Sequence, residues 1–380
     1  MASEENNVAA ETKEVTESAP ETKTETKEAS EQPAAPAAEQ QPPKPVVRKT
    51  NYEKDIVYLY QFSRTPVVPS LSPYCLKVET WLRLAGLKYE NVDHKMKYRS
   101  KKGQLPFVEI NGEEIADSSV IIKELSQQFT KDLDITLDNN QKNISHAMIS
   151  MIENHLFWVV MWWRTKQADN IIKGYKVNLQ HALGTRIPNG ILNFFFKFSY
   201  GRKVCDDGLK KVKAQGIGVH KPEEIVEFGK QDLKVLSDLL ADKPFFFGDE
   251  PTTLDVVAFA NLAQIYFVDK EVSFPLQDYM QESCANLVGL VNRMKDKCFP
   301  DWEDICTTLD LNSHLPKPPP EEKDKEKDKG KDEEKKAEKD GDDKDKENEK
   351  SEKEIEKENE KDKETDENKD KEIKKEKEDK

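Results

Sequence analysis

Ser72-Pro73-Tyr74-Cys75 has the spacing of a Cys-x-x-Cys redox pair whose first sulfur is replaced by oxygen. In such a pair the first thiol is the nucleophile, because the free N–H groups of a helix start favour its thiolate. Ser72 cannot form a disulfide. Its hydroxyl retains one use, donating a hydrogen bond to a thiolate carried by a substrate. Ser72 is therefore the catalytic candidate, ahead of Tyr58, Tyr60 and Ser63. Cys75 falls one turn inside the helix, where a small buried hydrophobe is expected. Asp117-Ser118 opens a second helix, and the unpaired N–H groups of a helix start suit an anion. Pro106, after Leu105, cannot pair within a central strand, so it starts a strand or turns the chain. Structural readings stand beside these: Ser118 as a cap, Pro106 as a strand start. The five cysteines (Cys75, Cys205, Cys284, Cys298, Cys306) are odd in number and irregularly spaced. They show no zinc pattern, so no metal is expected and a reducing compartment is the simplest reading.

The elements that must position these groups read as two blocks. Ile56 to Phe62 is nearly all apolar, as a strand covered on both faces would be. A loop with Pro66 and Pro69 leads to Ser72, and Pro73 sits where its missing N–H costs nothing. Val78, Trp81, Leu82 and Ala85 share a helical face that Gly86 ends. Lys88 to His94 reads as a strand and Lys95 to Lys102 as a basic loop. Phe107-Val-Glu-Ile110 alternates apolar and polar, Asn111-Gly112 signals a tight hairpin, and Glu113 to Ala116 returns. The order predicts a four-stranded mixed sheet. From about Thr136 the pattern is helical: Asn143 to Thr165 with a Trp158/Trp162/Trp163 core run, a Phe-rich apolar stretch at 185–201, an exposed Gly/Lys segment at 205–220, and a helix from Pro222 to Leu240. Thr252 with Asp255 three residues later forms a capping box, a folding device and not chemistry. The last apolar anchors are Trp302, Ile305 and Leu309.

Of 380 residues, 35% are charged and the net charge is −14. Residues 1–50 hold ten Glu against six Lys/Arg, and 316–380 hold 29 Asp/Glu against 22 Lys. Neither end has enough large apolar side chains to offset its ordering entropy, so both are expected to be disordered tails. Order is expected from Asp55. No net basic face for nucleic acid is predicted. The start lacks the basic and apolar regions of a secretory signal. The longest apolar cluster, Leu156 to Trp163, is far short of the ~20 residues of a membrane helix.

The stretches PSLSPYCLKVETWLRLAGLKY, GQLPFVEINGEEIADSSVIIKEL and FFFGDEPTTLDVVAFA resemble the metaxin-like branch of the glutathione-transferase-like superfamily over residues 51–310. The resemblance implies an α+β (or α/β) chain: an N-terminal thioredoxin-like domain (51–130), an all-helical C-terminal domain (140–310), and tails at 1–50 and 316–380. It implies a cis Pro106, a Leu105 backbone that pairs with the cysteinyl part of glutathione, and Asp117-Ser118 holding its γ-glutamyl carboxylate. No cofactor is required, and glutathione is the one small molecule it makes eligible. It further implies a non-enzymatic role in axon development, with protein partners in Abelson-type tyrosine kinase signalling, a possible homodimer, and a cytoplasmic, axonal place at the inner face of the plasma membrane. Metaxins carry a C-terminal anchor; this chain ends in charge. Alternatives are a glutathione-dependent transferase or peroxidase, and a module that binds glutathione without turning it over.

Overall fold

A computed structural model describes residues 47–95 and 97–316; the rest of both expected tails lies outside the described residues. Strands β1 (Val57–Tyr60), β2 (Tyr89–Asn91), β3 (Phe107–Ile110) and β4 (Glu113–Ala116) form one sheet in the order β2-β1-β3-β4. β1 pairs parallel with β2 and antiparallel with β3, and β3 pairs antiparallel with β4. The β3–β4 turn has φ 50° at Asn111 and 87° at Gly112, as a two-residue hairpin turn of matching twist requires. A side chain at Gly112 would also strike the Tyr52 hydroxyl.

Helices α1 (Pro73–Leu84) and α2 (Ser118–Phe129) cover one face of the sheet. Val57, Leu59, Trp81, Leu82, Val108, Ile121 and Leu125 fill the space between, all at most 1% exposed. The opposite face carries Tyr58, Tyr60 and Phe107. Among the described residues no helix joins β2 to β3, so this face needs another cover, and the chain supplies it from residues expected to be tail. The Arg48 guanidinium lies 4.6 Å from the Phe107 ring centre. Arg48 and Lys49 donate their backbone N–H groups to the Glu109 carboxylate at 2.9 and 3.0 Å, and the Tyr60 hydroxyl donates at 2.8 Å. Order begins before the expected Asp55, since Arg48 and Lys49 are bonded to the sheet. Glu109, the polar residue of the β3 alternation, is buried, because β3 is an inner strand covered on both sides. The second strand is also shorter than Lys88 to His94, since only Tyr89–Asn91 pairs with β1.

The remainder is helical: α3 (Asn139–Met151), α4 (Phe157–Lys166), α5 (Ala168–Ile172), α6 (Leu179–Leu183), α7 (Asn189–Phe195), α8 (Gly201–Gln215), α9 (Pro222–Leu240), α10 (Thr253–Tyr266), α11 (Pro275–Ser283), α12 (Ala285–Cys298) and α13 (Trp302–Thr308). Wide π turns at Ile152–Leu156 and Phe196–Tyr200 run α3 into α4 and α7 into α8. Gly208 lets α8 close on Thr165 of α4, where a Cβ would clash. Every residue from Leu254 to Ile265 is buried, so α10 is covered on all sides and forms the axis of the helical core. Its start is tied by Asp255, which accepts from the N–H of Thr252 (2.8 Å), the hydroxyl of Thr252 (2.8 Å) and the N–H of Phe246 (2.9 Å). Trp163 is core, stacked on Phe274 at 3.9 Å, whereas Trp158 and Trp162 are only half-buried.

The chain then returns to the sheet. The Asn312 side chain accepts from the Asn91 N–H at 2.7 Å and donates to the Asn91 carbonyl at 2.9 Å, standing in for a neighbour on the edge strand β2. His314 stacks on Tyr89 at 4.1 Å.

Candidate functional site

The loop before α1 is held from both sides. Arg64 forks onto Glu79 of α1 at 2.6 and 2.7 Å, with both side chains fully buried. From the helical side, Arg164 donates to the Leu71 carbonyl (2.8 Å) and Gln264 to the Ser70 carbonyl (3.0 Å). This delivers Ser72 to the N-cap of α1, where its oxygen accepts the Cys75 N–H at 3.3 Å. The oxygen thus serves as a cap acceptor, which leaves its O–H to donate, and no base sits in hydrogen-bond contact with the hydroxyl among the described residues. Cys75 is fully buried, and burial pushes its thiol up to about 11 against the opposing hydrogen bonds of Phe62, Ser72 and Ser70. Redox chemistry is therefore closed at both ends of the motif: one sulfur is absent and the other stays protonated.

Asp117 has φ 89° and caps α2, its carboxylate accepting from Ser119 and Val120 N–H at 2.9 and 3.2 Å. The helix start that would receive an anion already holds one of its own. What remains open is smaller. Ser118 is 6% exposed and its hydroxyl has no partner among the described residues. The Leu105–Pro106 peptide is cis, and the backbone N–H and carbonyl of Leu105 are likewise without partners among the described residues.

Composition and spacing do not reveal the polar cluster beside these groups. Lys77, 2% exposed, donates to Ser119 Oγ (3.0 Å) and Glu153 Oε1 (2.7 Å), which joins α1, α2 and the π turn before α4. Tyr74 lies 5.1 Å from Phe157, its phenol pushed above the ordinary range by burial and by the Glu153 and Asp117 carboxylates. The available signal was Lys77 itself, one turn before Trp81 on the core-facing side of α1. A cavity of about 550 Å³ opens here, lined by Lys77, Ser119, Lys123, His146, Glu153 and Thr253 among others. Ser72, Leu105, Pro106 and Ser118 do not line it. Tyr58 and Tyr60 lie on the far face of the sheet with Phe107, away from the α1 start. Among the described residues no cluster of His, Cys, Asp or Glu is placed to hold a metal ion, and no helix is long and apolar enough to cross a membrane.

Comparison with known families matches residues 73–170 to the glutathione S-transferase N-terminal domain and 229–294 to the glutathione S-transferase C-terminal domain. Failed axon connections of Drosophila melanogaster is 70% identical over 72% of this chain. The chain spans 66% of that relative's length. The isoprene-epoxide glutathione S-transferase of a Rhodococcus strain is 29% identical over 60% of this chain and 93% of its own. A Drosophila melanogaster metaxin-1 homologue is 25% identical over 63% of this chain and 72% of its own.

Proposed function

Since the chain belongs to the metaxin-like branch of the glutathione-transferase-like superfamily, we propose that it is a non-enzymatic interaction protein built on that fold. The observation that carries this reading is the start of α1. Ser72 caps the helix with no base in contact with its hydroxyl among the described residues, and Cys75 is a fully buried thiol pushed up by burial, so neither is activated as a nucleophile. A group that stabilises the reacting thiolate typically contributes factors of about 10²–10³ to turnover. Likeness to a protein named Failed axon connections supports placing the chain in axon development; the reading is completed by partners in Abelson-type tyrosine kinase signalling and a cytoplasmic, axonal location, which are proposals of their own.

A second reading has its own support. The free backbone of Leu105 and the unpartnered Ser118 hydroxyl are groups a γ-glutamyl peptide would use, so the site can hold glutathione weakly without converting it. Binding alone does not speed chemistry, because only interactions stronger in the transition state lower the barrier. The test is conjugation of glutathione to a reactive aryl halide by the full chain, with calorimetric titration of glutathione alongside. The scaffold reading expects no turnover above the uncatalysed rate, and any titration heat to vanish in Ser118→Ala. Turnover well above background that is lost in Ser72→Ala would replace it with the transferase reading.

A further inference from the structure

The Phe-rich stretch is not core. Seven of the fourteen large hydrophobic side chains exposed among the described residues fall within 183–200: Leu183, Ile187, Ile191, Phe194, Phe195, Phe198 and Tyr200. Ile191, Phe194, Phe195 and Phe198 follow the i, i+3, i+4, i+7 spacing of one helix face, and they are 49%, 60%, 62% and 50% exposed. The rings support one another in the open: Phe194 meets Phe198 at 4.8 Å and Phe195 at 5.9 Å. A globular helix buries such a stripe. This one turns it to water, while half-buried Leu192 and Phe196 lie off it. At roughly 100 Å² shown per side chain, the stripe alone exposes roughly 400 Å², the size at which a patch is commonly functional.

Its charge names the partner. From Asn170 to Cys205 the chain has no Asp or Glu and six Lys/Arg, within a protein of net charge −14. Three of the six are paired: Lys173 and Lys197 with Asp169, and Lys176 with Asp269. Arg186, Arg202 and Lys203 have no ion pair among the described residues, and the Arg202 guanidinium stands 6.0 Å from the Phe198 ring. An aromatic stripe with one unpaired cation against its rings (Arg202) and two more within a few residues of its ends in sequence (Arg186, Lys203) is the pattern of a helix that lies in a lipid interface, rings at the acyl boundary and cations at the phosphates. A symmetric pairing with a second copy would bring the same unpaired cations face to face. The Lys/Glu/Asp end of the chain has only Ala337, Ile355 and Ile373 as apolar residues from 321 to 380, too few to cover the stripe.

We infer that the α7 face, with the π turn that follows it, docks in the plane of an anionic lipid bilayer. Ile191, Phe194, Phe195 and Phe198 enter the interface, and Arg186, Arg202 and Lys203 meet lipid phosphates. This site is independent of the α1 start and of the signalling reading.

The test is co-sedimentation of the full chain with phosphatidylcholine vesicles containing about 30 mol % phosphatidylserine or none. Wild type should pellet with the anionic vesicles, less so as salt rises. Phe194→Asp with Phe195→Asp should weaken this at least about tenfold. Arg186→Glu, Arg202→Glu and Lys203→Glu together should weaken it on the order of a hundredfold, because each basic residue near the surface counts separately. Both variants alter exposed side chains, so their circular dichroism should match wild type; should the Phe variant misfold, the charge variant carries the test alone. Equal pelleting of wild type and variants would overturn the inference. So would an absence of pelleting, including the case where light scattering shows a wild-type dimer that the Phe variant dissociates.

Discussion

Replacing Glu79 by alanine should cost the folded chain about 3–5 kcal/mol, the range for removing one partner of a buried ion pair. The carboxylate is fully buried and accepts the Arg64 fork, Gln61 Nε2 at 2.9 Å and the Tyr89 hydroxyl at 2.9 Å. Arg64 is buried with it, and without Glu79 the guanidinium keeps, among the described residues, only the carbonyls of Leu311 (2.8 Å) and Pro69 (3.4 Å). The cost is that of a stranded buried cation, not the net worth of the pair. Arg64→Met with Glu79→Leu should therefore recover most of the loss, since well-packed apolar replacements of a buried pair are often neutral. With an m-value of about 3 kcal/mol/M in urea, the midpoint of Glu79→Ala should fall by about 1–1.7 M. The pH dependence has a defined sign. Burial alone would raise the Glu79 pKa, but the charge and hydrogen bonds of Arg64 and the charge of Arg83 hold it well below the carboxylate range. A depressed carboxylate stabilises the fold fully above its unfolded pKa of about 4.3, and that contribution is lost as pH falls toward the folded value. The gap between wild type and Glu79→Ala should then be full at pH 7 and narrow below about pH 4. A midpoint shift worth less than about 1 kcal/mol, or a double variant as unstable as the single one, would refute the reasoning.

Asp255→Ala should cost about 2–4 kcal/mol, more than the ~1 of an exposed cap, because it strands the buried N–H groups of Phe246 and Thr252; urea unfolding measures it. Arg48→Ala should cost about 1–2 kcal/mol through its bonds to Glu109 and Glu114. For the same reason, deleting 1–50 should lower the melting temperature while deleting 1–46 leaves it nearly unchanged. All five thiols are buried and Cys75, Cys298 and Cys306 are pushed up to about 11, 12 and 12 by burial. A disulfide reagent at pH 8 should therefore label none quickly in native protein and five in denaturant.

Where local chemistry decides structure, the sequence was enough. Asn111-Gly112 dictates the hairpin because both positions take positive φ, and Pro73 behind Ser72 starts α1 because the first helical N–H has no partner to lose. Thr252 and Asp255 close on each other because they are three residues apart. The positions of Ser72, Leu105, Asp117 and Ser118 at helix and strand starts were legible in the same way. Three things were not, and each depends on residues far apart in the chain. Glu109 looks solvent-facing in β3 until Arg48 and Lys49, about 60 positions earlier, cover it. Lys77 is an ordinary surface lysine until the fold brings Glu153 within 2.7 Å of its ammonium. The Phe-rich stretch is apolar by composition, yet the interior is already filled by α4, α9 and α10, and the stripe is left outside. Apolar composition states that a segment gains by leaving water; only the tertiary packing decides whether the protein itself provides the place.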